Sequence, residues 1–114
     1  MLWLFAFVWT LAIELPIYTI VVARCFQTRW AVVVLTLAVN LATHPALWFV
    51  LPRSWPHDIA IGEAAVVVVE AALVAIVLGR RVSLSQAVPR AIAAALVANA
   101  ASYLAGLVLI PLVT

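Results

Sequence analysis

Hydrophobic residues form four long runs along this chain, separated by short stretches that hold most of its charged residues. The runs extend over about residues 3–23, 31–51, 59–79 and 91–111. Each is roughly 20 residues long, the length at which an α-helix crosses the hydrocarbon core of a bilayer. The pattern therefore predicts an all-α polytopic membrane protein, with one domain over residues 1–114 built from four transmembrane helices.

The overall composition supports a membrane protein and excludes several other classes. Hydrophobic residues make up 69% of the chain and charged residues 9%, which leaves too little polar surface for a soluble globule. The net charge of +2 comes from arginines that lie outside the apolar runs, so it indicates topology and no nucleic-acid partner. The sequence lacks nucleophile and phosphate-binding motifs. An independent enzyme is not expected, and no cofactor is required.

The arginines predict the orientation of the chain. Loops 24–30 and 80–90 carry all of them except Arg53, which lies between the second and third runs, where Asp58 offsets its charge. Short loops rich in arginine stay in the cytoplasm. The sequence therefore predicts cytoplasmic loops after the first and third helices, with both termini outside.

A short polar motif occurs twice inside the apolar runs. Asn-x-Ala-[Thr/Ser]-[His/Tyr] begins at Asn40 and again at Asn99, and each copy follows an acid in the preceding run, Glu14 or Glu70. Since the two halves share their direction across the membrane, the matches favour a parallel repeat of two helix hairpins, with chance similarity as the alternative. At 1.5 Å per residue, all four polar residues lie roughly 13–16 Å from a span end, near the bilayer midplane.

A second polar layer is predicted one to two turns nearer the outside. His44 and Tyr103 lie four residues beyond the asparagines, with Ser102 beside Tyr103, and Glu63 lies seven residues before Glu70. These spacings put each residue on the same helix face as its inner partner. Because a polar side chain pointing at lipid is costly, the polar stripes of the four helices are expected to face one another.

This polar interior allows several kinds of chemistry. No Lys or Arg lies within the runs to balance the acids, so either Glu14 and Glu70 are protonated and donate to the asparagines, or a cation lies among the acids and His44. Such an oxygen-rich set suits Mn, Fe or Zn, and His44 alone suits a tetrapyrrole. In a purely structural interpretation the polar groups only tie the helices together. The candidate metal ligands are Glu14, His44, Glu63 and Glu70.

The fourth run also carries a stripe of small residues at intervals of four. Such a stripe lets another helix backbone approach closely and marks a packing face. Four helices enclose a narrow bundle with little room for a substrate cavity, so the stripe favours association with other chains. It consists of Ala94, Ala98, Ser102 and Gly106.

Four blocks of residues resemble a loose group of small bacterial four-helix integral membrane proteins. The blocks are Glu-Leu-Pro from Glu14, Asn-Leu-x-Thr-x-Pro from Asn40, the pair Glu63 and Glu70, and Asn-x-x-Ser from Asn99. They occur in the same order in that group and cover nearly the whole chain. The resemblance implies four transmembrane helices in the bacterial inner (cytoplasmic) membrane and a role for these residues, and it implies no activity.

Two functions follow as hypotheses. The first is a structural or accessory subunit of a larger, energy-transducing membrane complex, in which the polar layer ties the helices together. The alternative is a proton- or cation-binding or transport module that uses Glu14 and Glu70. The expected partners are the lipid bilayer and either other membrane subunits or further copies of this chain.

Overall fold

The computed structural model describes residues 2–50 and 56–113, and nearly all of them are helical. Residues 51–55, which include Arg53, Trp55 and the predicted end of the second helix, lie outside the described part. The helices are α1 (Leu2–Val22), α2 (Arg29–Phe49), α3 (Pro56–Gly79) and α4 (Leu84–Val113), and a short 3-10 turn, Ala23–Cys25, follows α1. The prediction of an all-α protein with four long helices is confirmed.

All four helices are long and apolar enough to cross a membrane. The bundle is 42 Å long, which is close to the roughly 40–45 Å thickness of a bilayer with its headgroups. Large hydrophobic side chains such as Ile20, Val34 and Leu107 point outward and are more than half exposed. An apolar outer surface of this kind fits hydrocarbon, while the helices satisfy their own backbone polar groups.

The largest difference from the predicted boundaries lies at the start of α4. The prediction began this helix at residue 91, where the apolar run begins, but the helix already begins at Leu84. The carbonyl of Ser83 accepts hydrogen bonds from the backbone N–H groups of the residues three and four positions further on. Pro89 is the sixth residue of this helix and lies inside it, where it removes one backbone hydrogen bond without ending the helix. The predicted loop 80–90 is therefore mostly helical.

At one end of the bundle, called the arginine end below, α1 and α3 end and α2 and α4 begin. Two side-chain contacts join the elements at this end. The guanidinium of Arg81 lies over the ring of Phe26, 4.8 Å from its centroid. Arg90 donates a hydrogen bond to the carbonyl of Val21 at 3.3 Å. These contacts join the loop after α3 to the loop after α1, and α4 to the last turn of α1.

The four helices form a closed ring, in which α1 and α3 each pack against both α2 and α4. Between the middle of the bundle and the arginine end, the interior is filled by apolar side chains. Alanines on α4 let its backbone approach the neighbouring helices closely. This half is therefore tightly packed. Its fully buried residues include Tyr18, Val22, Val32, Thr36, Val74, Leu78, Ala87, Ala91, Ala94, Ala95 and Ala98.

The small-residue stripe of α4 packs inside this chain. Ala94 and Ala98 are fully buried, and Ser102 and Gly106 are half-buried. The hydroxyl of Ser102 lies 3.0 Å from a carboxyl oxygen of Glu14 on α1. The stripe therefore mediates packing within the bundle rather than offering a free face to another chain, which removes one of the sequence-based arguments for association.

Candidate functional site

Glu14 of α1 is fully buried and binds side chains from two other helices. Its Oε2 accepts a hydrogen bond from Nδ2 of Asn40 at 2.7 Å, and its Oε1 lies 3.0 Å from Oγ of Ser102. The same Asn40 nitrogen also donates to the carbonyl of Thr36 at 3.0 Å. Both amide hydrogens of Asn40 are thus used, which fixes the orientation of its side chain toward the carboxyl group.

Glu70 of α3 is also fully buried and has one more partner. Its Oε2 accepts hydrogen bonds from Nδ2 of Asn99 at 2.7 Å and from the hydroxyl of Tyr18 at 3.0 Å. Its Oε1 lies 2.9 Å from Oγ1 of Thr43. The Asn99 nitrogen also donates to the carbonyl of Ala95, four residues earlier, at 2.8 Å, just as the Asn40 nitrogen donates to the carbonyl of Thr36.

The two glutamates are bound in the same way. Each accepts from the asparagine on the following helix, so that Glu14 pairs with Asn40 and Glu70 with Asn99. Each also contacts a hydroxyl from the other helix hairpin. Glu14 contacts Ser102, three residues after Asn99, and Glu70 contacts Thr43, three residues after Asn40. The predicted midplane residues therefore form one connected layer that ties all four helices together.

The hydroxyls of Thr43 and Ser102 each lie near two acceptors but carry only one hydrogen. Thr43 Oγ1 is 2.9 Å from Oε1 of Glu70 and 2.9 Å from a carbonyl on its own helix. Ser102 Oγ is 3.0 Å from Oε1 of Glu14 and 3.1 Å from a carbonyl on its own helix. A single hydrogen can make a well-aligned bond to only one of the two acceptors at a time. A proton on each facing carboxyl oxygen would satisfy every one of these contacts.

The layer differs from the two arrangements considered from the sequence. The asparagines donate to the acids, rather than the acids donating to the asparagines. Within the described residues, no three His, Cys, Asp or Glu side chains come close enough together to hold a metal ion. The candidate set of Glu14, His44, Glu63 and Glu70 is therefore not assembled into a metal centre.

A cavity of about 400 Å³ lies on the far side of the polar layer from the packed half. Asn40, Glu70 and Asn99 line its inner part, and its walls continue to Leu2 and Pro111, near the ends of α1 and α4 opposite the arginine end. This end is called the cavity end below. The cavity lies within the range of about 300–1,000 Å³ that is typical of small-molecule sites. The expectation that the bundle is too narrow for a cavity is wrong.

The residues predicted for the outer polar layer have different surroundings. Ser102 contacts Glu14 and so joins the midplane layer, because it lies less than one helical turn beyond Asn99. Glu63 and Tyr103 are half-buried and line the cavity. Within the described part of the chain, no side chain or backbone group donates a hydrogen bond to the Glu63 carboxyl group.

His44 is surrounded by aromatic rings and is only 7% exposed. The ring centroids of Trp3, Phe7 and Trp48 lie 6.2, 5.3 and 6.2 Å from that of the imidazole. Nε2 is 3.5 Å from Oγ1 of Thr10, and Nδ1 has no hydrogen-bond partner among the described residues. The residue also lines the cavity, while its Nδ1 is itself buried.

Sequence reasoning missed two of the residues that contact Glu70, namely Tyr18 and Thr43. Both had a signal in the sequence. Tyr18 follows Glu14 by four residues and therefore shares its helix face. Thr43 occupies the same position in the first copy of the polar motif that Ser102 occupies in the second.

Fold and site together define a bundle of four helices suited to span a membrane, with a buried glutamate layer beneath a cavity at one end. Comparison of the chain with protein-family models, curated proteins and solved structures gives no match.

Proposed function

We propose that this protein is a proton- or cation-binding membrane module in which Glu14 and Glu70 hold protons in the interior of the bilayer. The observation that carries the proposal is the pair of shared hydroxyls. Thr43 and Ser102 each face a carboxyl oxygen and a backbone carbonyl, and a protonated acid is the form that satisfies both contacts. Ionisable groups at such depth are costly and mark functional sites in membrane proteins.

One-sided access supports the same proposal. The cavity leads to Glu70 from the cavity end, whereas fully buried apolar side chains fill the bundle between the glutamates and the arginine end. Protons or cations can therefore exchange with one aqueous phase while the other half of the bundle blocks passage. A transport cycle would require that packed half to open.

The proposal includes an internal repeat of two parallel hairpins, α1–α2 and α3–α4. The matched hydrogen bonds support it, because equivalent positions of the two motif copies make equivalent contacts with the acid of each half. Tyr18 departs from this symmetry, since Val74 follows Glu70 at the same interval. The two acids therefore differ in two ways. Glu70 has the additional hydroxyl of Tyr18 as a partner and lines the cavity, whereas Glu14 does not line the cavity.

The proposal also places the arginine end in the cytoplasm and the cavity end outside, in a bacterial inner membrane. Ser83 is exposed at the arginine end, and Cys25 is the single cysteine. In a Cys25→Ser chain, Ser83→Cys should react with a membrane-impermeant maleimide in inside-out vesicles and remain unlabelled in intact spheroplasts. The Cys25→Ser chain alone is the control. Labelling in spheroplasts would reverse the proposed orientation.

A proton-flux assay tests the function. Glutamine keeps hydrogen bonding but cannot titrate, so the double variant Glu14→Gln, Glu70→Gln should retain its helical content and lose proton flux. The measurement uses liposomes that contain the purified protein, a trapped pH-sensitive dye and an imposed pH gradient. Wild type should dissipate the gradient faster than protein-free liposomes, and the double variant should match protein-free liposomes.

Asp58→Asn provides the matched control for that assay. It removes a carboxyl group from the same helix as Glu70, outside the residues that line the cavity, and should leave the flux at the wild-type rate. Equal flux in wild type and the double glutamine variant would contradict the role of the two acids. Wild-type flux no faster than that of protein-free liposomes would contradict transport.

A structural or accessory subunit of a larger membrane complex is the second candidate. The polar layer itself favours this candidate, because both asparagines donate their two amide hydrogens to groups of the same chain and the layer joins all four helices. Native mass spectrometry after gentle extraction from the source membrane would test it. A single complex of fixed composition is the expected result, and recovery of only a free monomer or homo-oligomer would contradict it.

A further inference from the structure

We infer that the cavity binds a monovalent organic cation with an apolar body, and that Glu63 is its counter-charge. This inference rests on the proposed function and names the ligand class of the same cavity. The ligand would be a protonated or quaternary amine that enters from the aqueous phase at the cavity end. Its charged group would lie at Glu63 and its apolar body against the walls.

The first observation is that the Glu63 carboxyl group receives no hydrogen bond from any group in the part of the chain that the structure describes. This distinguishes it from Glu14 and Glu70, whose carboxyl oxygens have two and three side-chain partners. Glu63 lies two helical turns, about 10 Å, from Glu70 toward the cavity end. No protein group in the described part of the chain compensates the charge of this acid, so a cation in the cavity is a suitable partner for it.

The second observation is that His44 lines the same cavity and is also unsatisfied. The side chain is 7% exposed, and its Nδ1 has no hydrogen-bond partner among the described residues. Buried polar groups in native proteins are normally hydrogen-bonded. Nδ1 itself is buried and does not open onto the cavity, so Glu63 is the unsatisfied group that faces this space, and the His44 ring forms part of the wall beside it.

The walls indicate that this ligand is organic. Most of the lining is apolar, and it includes the aromatic side chains Phe5, Trp9, Trp48 and Tyr103. Aromatic faces attract organic cations through their quadrupole, and more strongly where water is excluded. A metal ion would instead need several oxygen or nitrogen ligands, and no group of three such residues occurs among those described.

Charge complementarity favours a cation over a lipid tail as the occupant. Among the described residues, Glu63 and Glu70 line the cavity and no arginine does. With a volume of about 400 Å³, the space fits a small amine with one or two apolar groups. Because Glu70 already has three hydrogen-bond partners, Glu63 is the acid that is free to pair with the ligand.

A titration with a charged probe and its neutral isostere tests the inference. The probe is benzyltrimethylammonium, and the isostere is neopentylbenzene, in which carbon replaces the charged nitrogen. Binding to the purified protein in a nonionic detergent is followed by tryptophan fluorescence, since Trp9 and Trp48 line the cavity. Wild type should bind the cation at least about tenfold more tightly than the isostere.

Glu63→Gln should abolish this preference, and Asp58→Asn, which removes a carboxyl group outside the cavity lining, should retain it. Should Glu63→Gln fail to fold, Trp9→Leu tests the same site. It removes an aromatic wall and should weaken binding of the cation more than binding of the isostere. Equal affinities of wild type for the two probes, or an unchanged preference in either cavity variant, would overturn the inference.

The source of the cation is tested in nanodiscs. Binding of the probe should be equal in bilayers of phosphatidylglycerol alone and in bilayers that also contain phosphatidylcholine. Loss of binding in the second bilayer would mean that a choline headgroup occupies the site, which overturns a water-borne ligand. The flux assay depends on Glu14 and Glu70 and the titration on Glu63, so failure of one proposal is distinguishable from failure of the other.

Discussion

Replacing Glu70 with leucine is expected to lower the free energy of unfolding by about 2–4 kcal/mol. Leucine leaves the hydroxyl of Tyr18 and one amide hydrogen of Asn99 buried without an acceptor. Thr43 loses less, because its hydroxyl can still donate to the carbonyl of Val39 at 2.9 Å. Hydrogen bonds between membrane helices are on average weaker than this range implies, so the lower half of the range is favoured.

Glutamine at the same position is expected to stay within about 1 kcal/mol of wild type. Its carbonyl oxygen can accept from Tyr18 and Asn99, as Oε2 of Glu70 does. Its amide nitrogen can donate to Thr43, as a protonated Oε1 would. Glutamine therefore reproduces the neutral acid except for one additional N–H, and the contrast between Gln and Leu tests the protonation state directly.

The measurement is reversible unfolding of the purified protein in mixed micelles titrated with SDS. Glu14→Gln and Glu14→Leu form the matched pair. The leucine variant should again be less stable than the glutamine variant, but its free energy of unfolding should fall less than for Glu70→Leu, because Glu14 binds Asn40 and Ser102 and has no tyrosine partner. If Glu70→Gln is as unstable as Glu70→Leu, the native site holds an ionised carboxylate with a bound cation, and the neutral-acid interpretation fails.

The helices were predictable because hydrophobic length is a strong constraint in lipid. A run of about 20 apolar residues has few alternatives to a spanning helix, and four such runs gave four helices. The start of α4 was predicted too late. Proline and arginine before residue 91 resemble a loop, but Ser83 accepts backbone hydrogen bonds at an earlier start, and the helix continues through Pro89 at the loss of one backbone hydrogen bond.

Part of the site was also predictable. The spacing of Glu14, Asn40, Glu70 and Asn99 placed them at one depth, and they do form one layer. Which hairpin supplies each hydroxyl was not predictable, since depth and helix face do not determine the rotation of one helix against another. That rotation decides that Ser102 meets Glu14, while Thr43 meets Glu70.

The cavity could not be predicted for a related reason. Both halves of the bundle look alike in hydropathy, and the difference lies in how the helices fit together. Small alanines let α4 approach its neighbours from Ala87 to Ala98. Toward the cavity end, the interior space is instead bordered by Trp9, Trp48 and Glu63, which line it without filling it.

The second large effect is expected from Ala94→Leu, which should lower the free energy of unfolding by about 1–3 kcal/mol because it overfills the packed half. Ala94 is fully buried, so the added carbon atoms must displace neighbours such as Val74 or Leu78. Ala93→Leu is the matched control, since it lies one residue away on the exposed face, and it should stay within about 0.5 kcal/mol of wild type. Both are measured by the same SDS titration.

Ala105→Leu tests the opposite half with the same change in side-chain volume. Ala105 lines the cavity, where the larger side chain has room, so its stability should remain within about 0.5 kcal/mol of wild type or rise. The filled cavity should also bind the organic cation more weakly. If Ala105→Leu destabilises the protein as much as Ala94→Leu, both halves of the bundle are packed alike. Access to Glu70 from the cavity end would then fail, and with it the one-sided exchange that supports the proton-binding proposal.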